Sequence, residues 1–329
     1  MNWVLFPLTF AYRAGSWIHH FLYDLGLQKT NKTHLPTISV GNIAFGGTEK
    51  TPLVIQLLSF CLDKGLKPAL ITRGYKGEWE RAGGVLSDGK KIYGSWHEAG
   101  DEPFMVSRRV LQAGIYVGKN RLVSCRRAKQ DGFDVLILDD GFQHRRLHRD
   151  MDIVLFNPEE KVALREFVSS LRRADIILVK ESGRPDYKKG IRLRFPPAKI
   201  FSYSVKNEGF FSSVDNSPTP VEILKKKRIL AVCGIARPER YLSLLGEFRL
   251  QPLHSLKFPD HHSYPLPSRK KIYATFQKIE ADAILTTEKD VFKLESLAKD
   301  RQVSLYYNRI GLQVDKDFYR EISSSLKVG

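Results

Sequence analysis

The stretch Val40-Gly41-Asn42-Ile43-Ala44-Phe45-Gly46-Gly47-Thr48-Glu49-Lys50-Thr51-Pro52 decides the fold. The β-branched run Thr37–Val40 reads as a strand that empties into a glycine-rich loop. Pro52–Lys64 then reads as a helix. Strand, glycines, Lys-Thr and helix follow the logic of a phosphate cradle, in which backbone N–H groups and a helix N-terminus face an anion. In such a loop Lys50 reaches the terminal phosphates and the Thr51 hydroxyl serves Mg2+. The usual spacing G-x-x-x-x-G-K-[ST] is not met, because Ala44 and Glu49 stand where its two glycines belong. On pattern alone, a nucleotide site and an ordinary glycine-rich turn both remain open.

Outward from this loop the alternation continues. Pro68–Thr72, Ile115–Val117, Val135–Leu138, Asp152–Phe156 and Asp175–Val179 are short apolar runs. Phe104–Ala113 and Leu122–Gln130 carry helical patterns between them. Apolar strands separated by helices predict a parallel sheet covered on both faces, with ligands at the carboxyl ends of its strands. Residues 184–228 are basic, weakly periodic and punctuated by Pro185, Pro196, Pro197, Pro218 and Pro220, and read as a connection. A second α/β pattern follows: strand Ile229–Cys233, helix Glu239–Glu247, strand Pro252–Leu256, helix Ser268–Ile279 and strand Ala283–Thr286. The expected division is 1–27, an N-terminal interfacial helix; 28–205, a P-loop-like domain; 206–228, a linker; 229–300, a smaller α/β domain; and 301–329, a returning strand and C-terminal helix.

The polar motifs fall at strand ends. Asp139-Asp140-Gly141-Phe142-Gln143-His144 follows a buried apolar strand. Carboxylates there are costly unless they serve a metal or a hydrogen-bond network. After a phosphate loop, a strand-end Asp is the expected Mg2+ holder, although Asp-Gly also makes plain turns and caps. In Gly100-Asp101-Glu102-Pro103 the acids either complement a helix dipole or supply a base for a hydroxyl group. Phe258-Pro259-Asp260-His261-His262 offers a general acid/base or a surface loop. Lys119-Asn120-Arg121, Arg126-Arg127, His144-Arg145-Arg146 and Arg172-Arg173 suggest an anion-facing rim.

Composition narrows the partners. The 329 residues carry 53 Lys+Arg against 36 Asp+Glu, a formal charge of +17, which calls for an anionic partner. The three cysteines fit neither a zinc spacing nor a disulfide framework. No nucleic-acid module or basic–aromatic interleaving accompanies the charge, so nucleic acid is not expected. No obligate protein partner is evident either. Residues 1–27 (MNWVLFPLTFAYRAGSWIHHFLYDLGL) are aromatic and apolar, but the first uncharged run stops at Tyr12, short of the ~20 residues a membrane span needs. A helix lying in a membrane interface and one packed on the protein's own core both fit.

Taken together, Val40–Pro52, Thr72-Arg73-Gly74-Tyr75, Gly100–Pro103, Asp139–His144, Leu171–Asp175, Val232–Pro238, Phe258–His261 and Thr287-Glu288-Lys289-Asp290 resemble, in order, the tetraacyldisaccharide 4′-kinase family. The resemblance implies a P-loop-type parallel sheet domain, a smaller α/β domain joined to it by a two-stranded linker, and an N-terminal membrane-associated helix. It also implies transfer of the γ-phosphate of ATP, with Mg2+, to the 4′-hydroxyl of an acylated disaccharide 1-phosphate, giving lipid IVA in lipid A biosynthesis. The implied place is the cytoplasmic face of the bacterial inner membrane. Carried over by position, Gly46, Gly47, Thr48, Lys50 and Thr51 hold nucleotide. Arg121 and His144 contact nucleotide or substrate phosphate, and Thr51, Asp139 and Asp140 serve the metal. Asp101 is the base, with His261 in support.

Two residues depart from the family pattern, which reads Gly-Gly-Thr-Gly-Lys-[Ser/Thr] in the loop. Glu49 replaces its last glycine, and Lys76 stands where a small residue is usual. A carboxylate ~5 Å from one phosphate charge at effective ε ~20 is worth roughly 3 kcal/mol of repulsion. Either Glu49 turns toward solvent or a cation and leaves a weakened but working site, or nucleotide use is lost and only lipid binding remains.

Overall fold

The structure, a computed structural model, describes residue 15 and residues 21–44, 49–159, 164–181 and 186–326. Most of the expected N-terminal helix and the loop residues Gly46, Gly47 and Thr48 therefore lie outside the described residues. The chain forms two compact units: residues 1–205 with 312–329, and residues 206–311.

The first unit is built on β1 (Thr37–Asn42), β2 (Pro68–Thr72), β3 (Gly84–Asp88), β4 (Gly114–Val117), β5 (Val135–Asp139), β6 (Met151–Phe156), β7 (Ile176–Lys180) and the first part of β8 (Lys199–Ser212). Their spatial order is β8-β7-β6-β1-β5-β2-β4-β3. Every pairing among them is parallel except β3 with β4. Parallel strands are buried on both faces, and alternate residues point opposite ways. Ile137, Ile153 and Leu155 face a core shared with Leu53, Leu57 and Leu58 of helix Lys50–Asp63 and Val106 of helix Asp101–Arg109. Leu136 and Leu138 instead face Cys125 and Ala128 of helix Arg121–Gln130. Phe318 and Ile322, from the C-terminal helix Lys316–Leu326, join the first of these cores.

The topology turns at β1, which lies between β5 and β6, with β2 on the β5 side and β7 on the β6 side. Such a reversal opens a crevice at the carboxyl ends of the strands. Gly41, near that end, is required by close approach: a Cβ there would lie 2.5 Å from the Phe142 Cβ.

The second unit holds the distal part of β8, β9 (Pro218–Thr219), β10 (Ile229–Cys233), β11 (His254–Lys257), β12 (Ala283–Thr287) and most of β13 (Ser304–Val314). Its parallel strands run β11-β10-β12-β13. Leu230 lies opposite both His254 and Ile284 in register. Leu224, Ile229, Ala231, Tyr241, Leu245 and Leu285 form its core. The chain passes between the units along β8 and β13, each a single continuous strand. Residues 186–228 carry more regular structure than their sequence suggests, containing helix Asp186–Arg194, β8, β9 and helix Val221–Lys225. All three cysteines are buried and unpaired. Among the described residues no helix is long and apolar enough to cross a membrane.

Candidate active site

The site of the first unit lies where β1 and β5 end. Asn42 closes β1, and Asp139 closes β5. Lys50 is the first residue of helix Lys50–Asp63, whose positive dipole end faces the same crevice. Lys50 Nζ lies 3.4 Å from Asp140 Oδ1. Asp140 sits just past β5 in left-handed backbone, φ 49°. Its carboxylate also takes a two-pronged bond from Arg165, with Nη1 at 2.9 Å from Oδ2 and Nη2 at 2.7 Å from Oδ1. Fork-on-fork pairs of this kind fix orientation as well as charge. Arg165 further donates to the Ala44 carbonyl at 3.0 Å and to Asn42 Oδ1. Arg121 Nη1 donates to the Asp140 carbonyl at 3.0 Å. Burial alone would raise the Asp140 pKa, but Lys50, Arg165 and Arg121 outweigh it and hold the group well below the carboxylate range.

Asp139 is the opposite case. The Thr72 hydroxyl donates to Oδ2 at 3.2 Å, while the buried Oδ1 has no hydrogen-bond partner. Burial, with the charges of Glu102 and Asp140, pushes its pKa up to about 6 against the pull of Lys50 and Arg121. An unpartnered buried carboxylate oxygen beside a second carboxylate, with the Thr51 hydroxyl next in sequence to Lys50, is a set of hard oxygen donors. That set fits Mg2+, which commonly takes one or two carboxylates and completes its shell with water and phosphate oxygens.

The neighbouring motifs gather in the same unit. Asp101 is buried at the first turn of helix Asp101–Arg109, and Glu102 beside it contributes to the field at Asp139. Burial, followed by Arg121, Arg149 and Arg146, pushes the His144 pKa down to about 4, so its ring is neutral near pH 7. Gln143 Nε2 donates to the Asn42 carbonyl and to Glu166, both at 2.8 Å. Glu166 in turn accepts from Arg173, whose guanidinium lies 4.3 Å from the Phe142 ring centroid. The Asp139–His144 segment is thereby tied to β1 and to the segments around Glu166 and Arg173.

His261 belongs to the second unit, on the turn after β11, with φ 61°. Lys289 Nζ donates to Asp260 Oδ1 at 3.0 Å and to His261 Nε2 at 3.2 Å. Deeper in that unit, Asp290 accepts from the Gly234 N–H at 2.8 Å and the Thr287 hydroxyl at 2.9 Å, with Lys293 Nζ at 3.5 Å.

The Glu49 carboxylate is paired with a cation from another strand. Lys180 Nζ, at the end of β7, donates to Glu49 Oε1 at 2.8 Å. The Tyr203 hydroxyl on β8 lies 3.5 Å from Oε2. Of the two alternatives for this residue, the structure shows the cation-paired one, and loss of nucleotide use finds no support. Both departures from the family pattern occupy left-handed backbone, Glu49 at φ 55° and Lys76 at φ 65°, conformations that glycine adopts more easily. Arg165, Asn42, Glu166 and Lys180 were not singled out by the sequence. Arg165, Asn42 and Lys180 meet their partners across more than a hundred residues or across strands, where only the strand order brings them together. For Lys180, the acid at position 49 was the signal that a counter-charge had to exist.

A doubly covered parallel sheet with a Lys-Thr helix start and strand-end acids at its switch point is a P-loop-type α/β domain. The family model for tetraacyldisaccharide-1-P 4′-kinase (LpxK) matches residues 1–327. A tetraacyldisaccharide 4′-kinase of Desulfotalea psychrophila is 33% identical over 95% of this chain and 93% of its own. Its counterpart in Syntrophus aciditrophicus is 34% identical over 88% and 83%. The crystal structure of LpxK from Aquifex aeolicus in complex with ATP superposes with a TM-score of 0.78 at 25% identity, covering 98% of both chains. The chain belongs to the tetraacyldisaccharide 4′-kinase family.

Proposed function

We propose that this protein transfers the γ-phosphate of ATP to the 4′-hydroxyl of a tetraacylated disaccharide 1-phosphate, giving lipid IVA. The carrying observation is the cluster at the ends of β1 and β5, where Lys50, Arg165 and Arg121 surround Asp140 and one oxygen of buried Asp139 is left unpaired. In phosphoryl transfer the protein supplies mainly position and charge, and this cluster offers both. Gly46, Gly47, Thr48, Lys50 and Thr51 hold the nucleotide phosphates, and Arg121 and His144 line the phosphate-facing side. Thr51, Asp139 and Asp140 hold Mg2+, which when bound neutralises phosphate charge. Asp101 accepts the proton of the attacking hydroxyl as the bond from its oxygen to the γ-phosphorus forms. The bond to the β–γ bridging oxygen breaks, and ADP leaves. In this reading His261, whose ring meets Lys289, assists the transfer. Neutral His144 accepts or donates a hydrogen bond without adding a further positive charge.

The membrane assignment is part of the same reading. Residues 1–27 lie in the interface at the cytoplasmic face of the inner membrane, and the net charge of +17 draws the protein to anionic lipid. No nucleic acid and no obligate protein partner enter this scheme. Incubation of purified protein with Mg·ATP and the disaccharide 1-phosphate should yield a product heavier by one phosphate. Absence of turnover with correctly folded protein would overturn the assignment. Removal of residues 1–20 should abolish co-sedimentation with anionic vesicles; unchanged binding would refute the interfacial helix.

A further inference from the structure

Position 49 is the last residue before the helix that carries Lys50 and Thr51, and it holds an acid where the family pattern has glycine. The carboxylate is nearly covered, with 12% of the side chain exposed, so it needs a counter-charge. That charge comes from two strands away from β1. Lys180 and Tyr203 lie directly opposite one another in register on β7 and β8, both close to Glu49. The sheet's carboxyl edge therefore holds two ion pairs at the helix start: Lys50 with Asp140 on the β5 side and Glu49 with Lys180 on the β7 side.

From this juxtaposition we infer that Lys180 is a positioning residue for nucleotide binding. It draws the Glu49 carboxylate away from the phosphate cradle and pins the left-handed turn that aims Lys50 and Thr51. The inference rests on the kinase assignment above. It has a consequence for the pair: Glu49 is harmful without Lys180, whereas Lys180 is not harmful without Glu49. Without Lys180, the acid swings free within reach of the triphosphate and weakens nucleotide binding roughly tenfold to hundredfold. Without Glu49, Lys180 has no acid to restrain and its removal matters little.

A double-mutant cycle tests this with Lys180→Met, which keeps length and removes charge, Glu49→Gly, and the two combined. Lys180→Met in the natural background should raise KM for Mg·ATP at least tenfold, with a smaller change in kcat. It should weaken calorimetric binding of a non-hydrolysable ATP analogue to the same extent. In the Glu49→Gly background the same substitution should change either quantity less than about threefold. Lys180→Arg should retain most of the affinity, and melting temperatures identify any variant that loses affinity by unfolding. An equal loss in both backgrounds would overturn the inference while leaving the kinase assignment intact. So would no loss in the natural background. Wild-type protein that binds the analogue but does not phosphorylate the lipid would overturn the assignment instead, and the binding cycle would still decide the role of Lys180. Wild-type protein that does not bind the analogue would overturn both.

Discussion

Two buried acid clusters stand at the carboxyl ends of central strands, one in each unit, and they are finished differently. After β12, the Asp290 carboxylate receives a backbone N–H, a hydroxyl and the buried Lys293 ammonium. Both side chains of that ion pair are inaccessible to solvent. At the end of β5, Asp139 keeps one oxygen without a partner, and Asp140 is surrounded by cations that exceed what one carboxylate needs. A satisfied cluster holds a fold together, whereas an incomplete one is arranged for something that arrives later. The difference separates scaffold from chemistry even though the two sequences, Leu-Asp-Asp-Gly and Thr-Glu-Lys-Asp, look equally polar.

Substitutions at the two clusters should therefore fail in opposite ways. The largest effect is expected for Asp140→Asn, which keeps hydrogen-bonding shape but removes charge: kcat should fall roughly 10^3-fold. Its melting temperature should move by less than about 4 °C, measured by calorimetry. A comparable loss of stability would make the first cluster structural after all. Asp290→Ala should instead strand the Lys293 ammonium and destabilise the protein by about 3 kcal/mol in urea denaturation. A neutral result would show that Lys293 finds another partner or loses its proton cheaply.

The pH dependence follows from Asp139. Its folded-state pKa, about 6, lies above the usual value of 3.8. Between these values the folded protein keeps a proton that the unfolded chain has released. The contribution of Asp139 is therefore unaffected below about pH 4 and becomes unfavourable as pH rises through 6. Relative to Asp139→Asn, metal-free wild type should lose about 3 kcal/mol of stability between pH 4 and pH 7. Parallel stability profiles for the two proteins would remove the argument that Asp139 is strained by burial. The smallest effect is expected at the loop. Glu49→Gly relieves a left-handed conformation worth about 1 kcal/mol and removes an acid near the phosphates. It should raise kcat/KM for ATP about threefold, from steady-state kinetics. A fall would mean that the Glu49–Lys180 pair contributes more through order than it takes away through charge.

Much of the first unit was legible because its strands are continuous apolar runs. Val135–Leu138, Pro68–Thr72 and Asp152–Phe156 each match their observed strands to within a residue at either end. Strand β8 was not legible. Its sequence, KIFSYSVKNEGFFS, mixes lysines, a glutamate and a glycine with aromatics, because its two parts belong to different units. Strand β13 was seen only at its start, Val303–Tyr307, for the same reason. The edge strand β3 was missed because it pairs on one side only, antiparallel to β4, with a shift in register between Val85 and Ser87. At the site, Lys50 could be named from its place at a helix start and Asp139 and Asp140 from their strand-end positions. Their partners could not, since Arg165 follows a segment with no strand or helix signal of its own, and Lys180 is simply the polar end of an apolar strand.

The cysteines carry a practical consequence. Cys61, Cys125 and Cys233 are each sealed in a core, and burial pushes every one of these thiols up to about 12. At neutral pH virtually none is ionised, and alkylating reagents act on the ionised form. The natural chain is thus silent to maleimide dyes while folded. A single cysteine introduced at Val214, which is 91% exposed, would take a fluorophore selectively without first stripping out the native three.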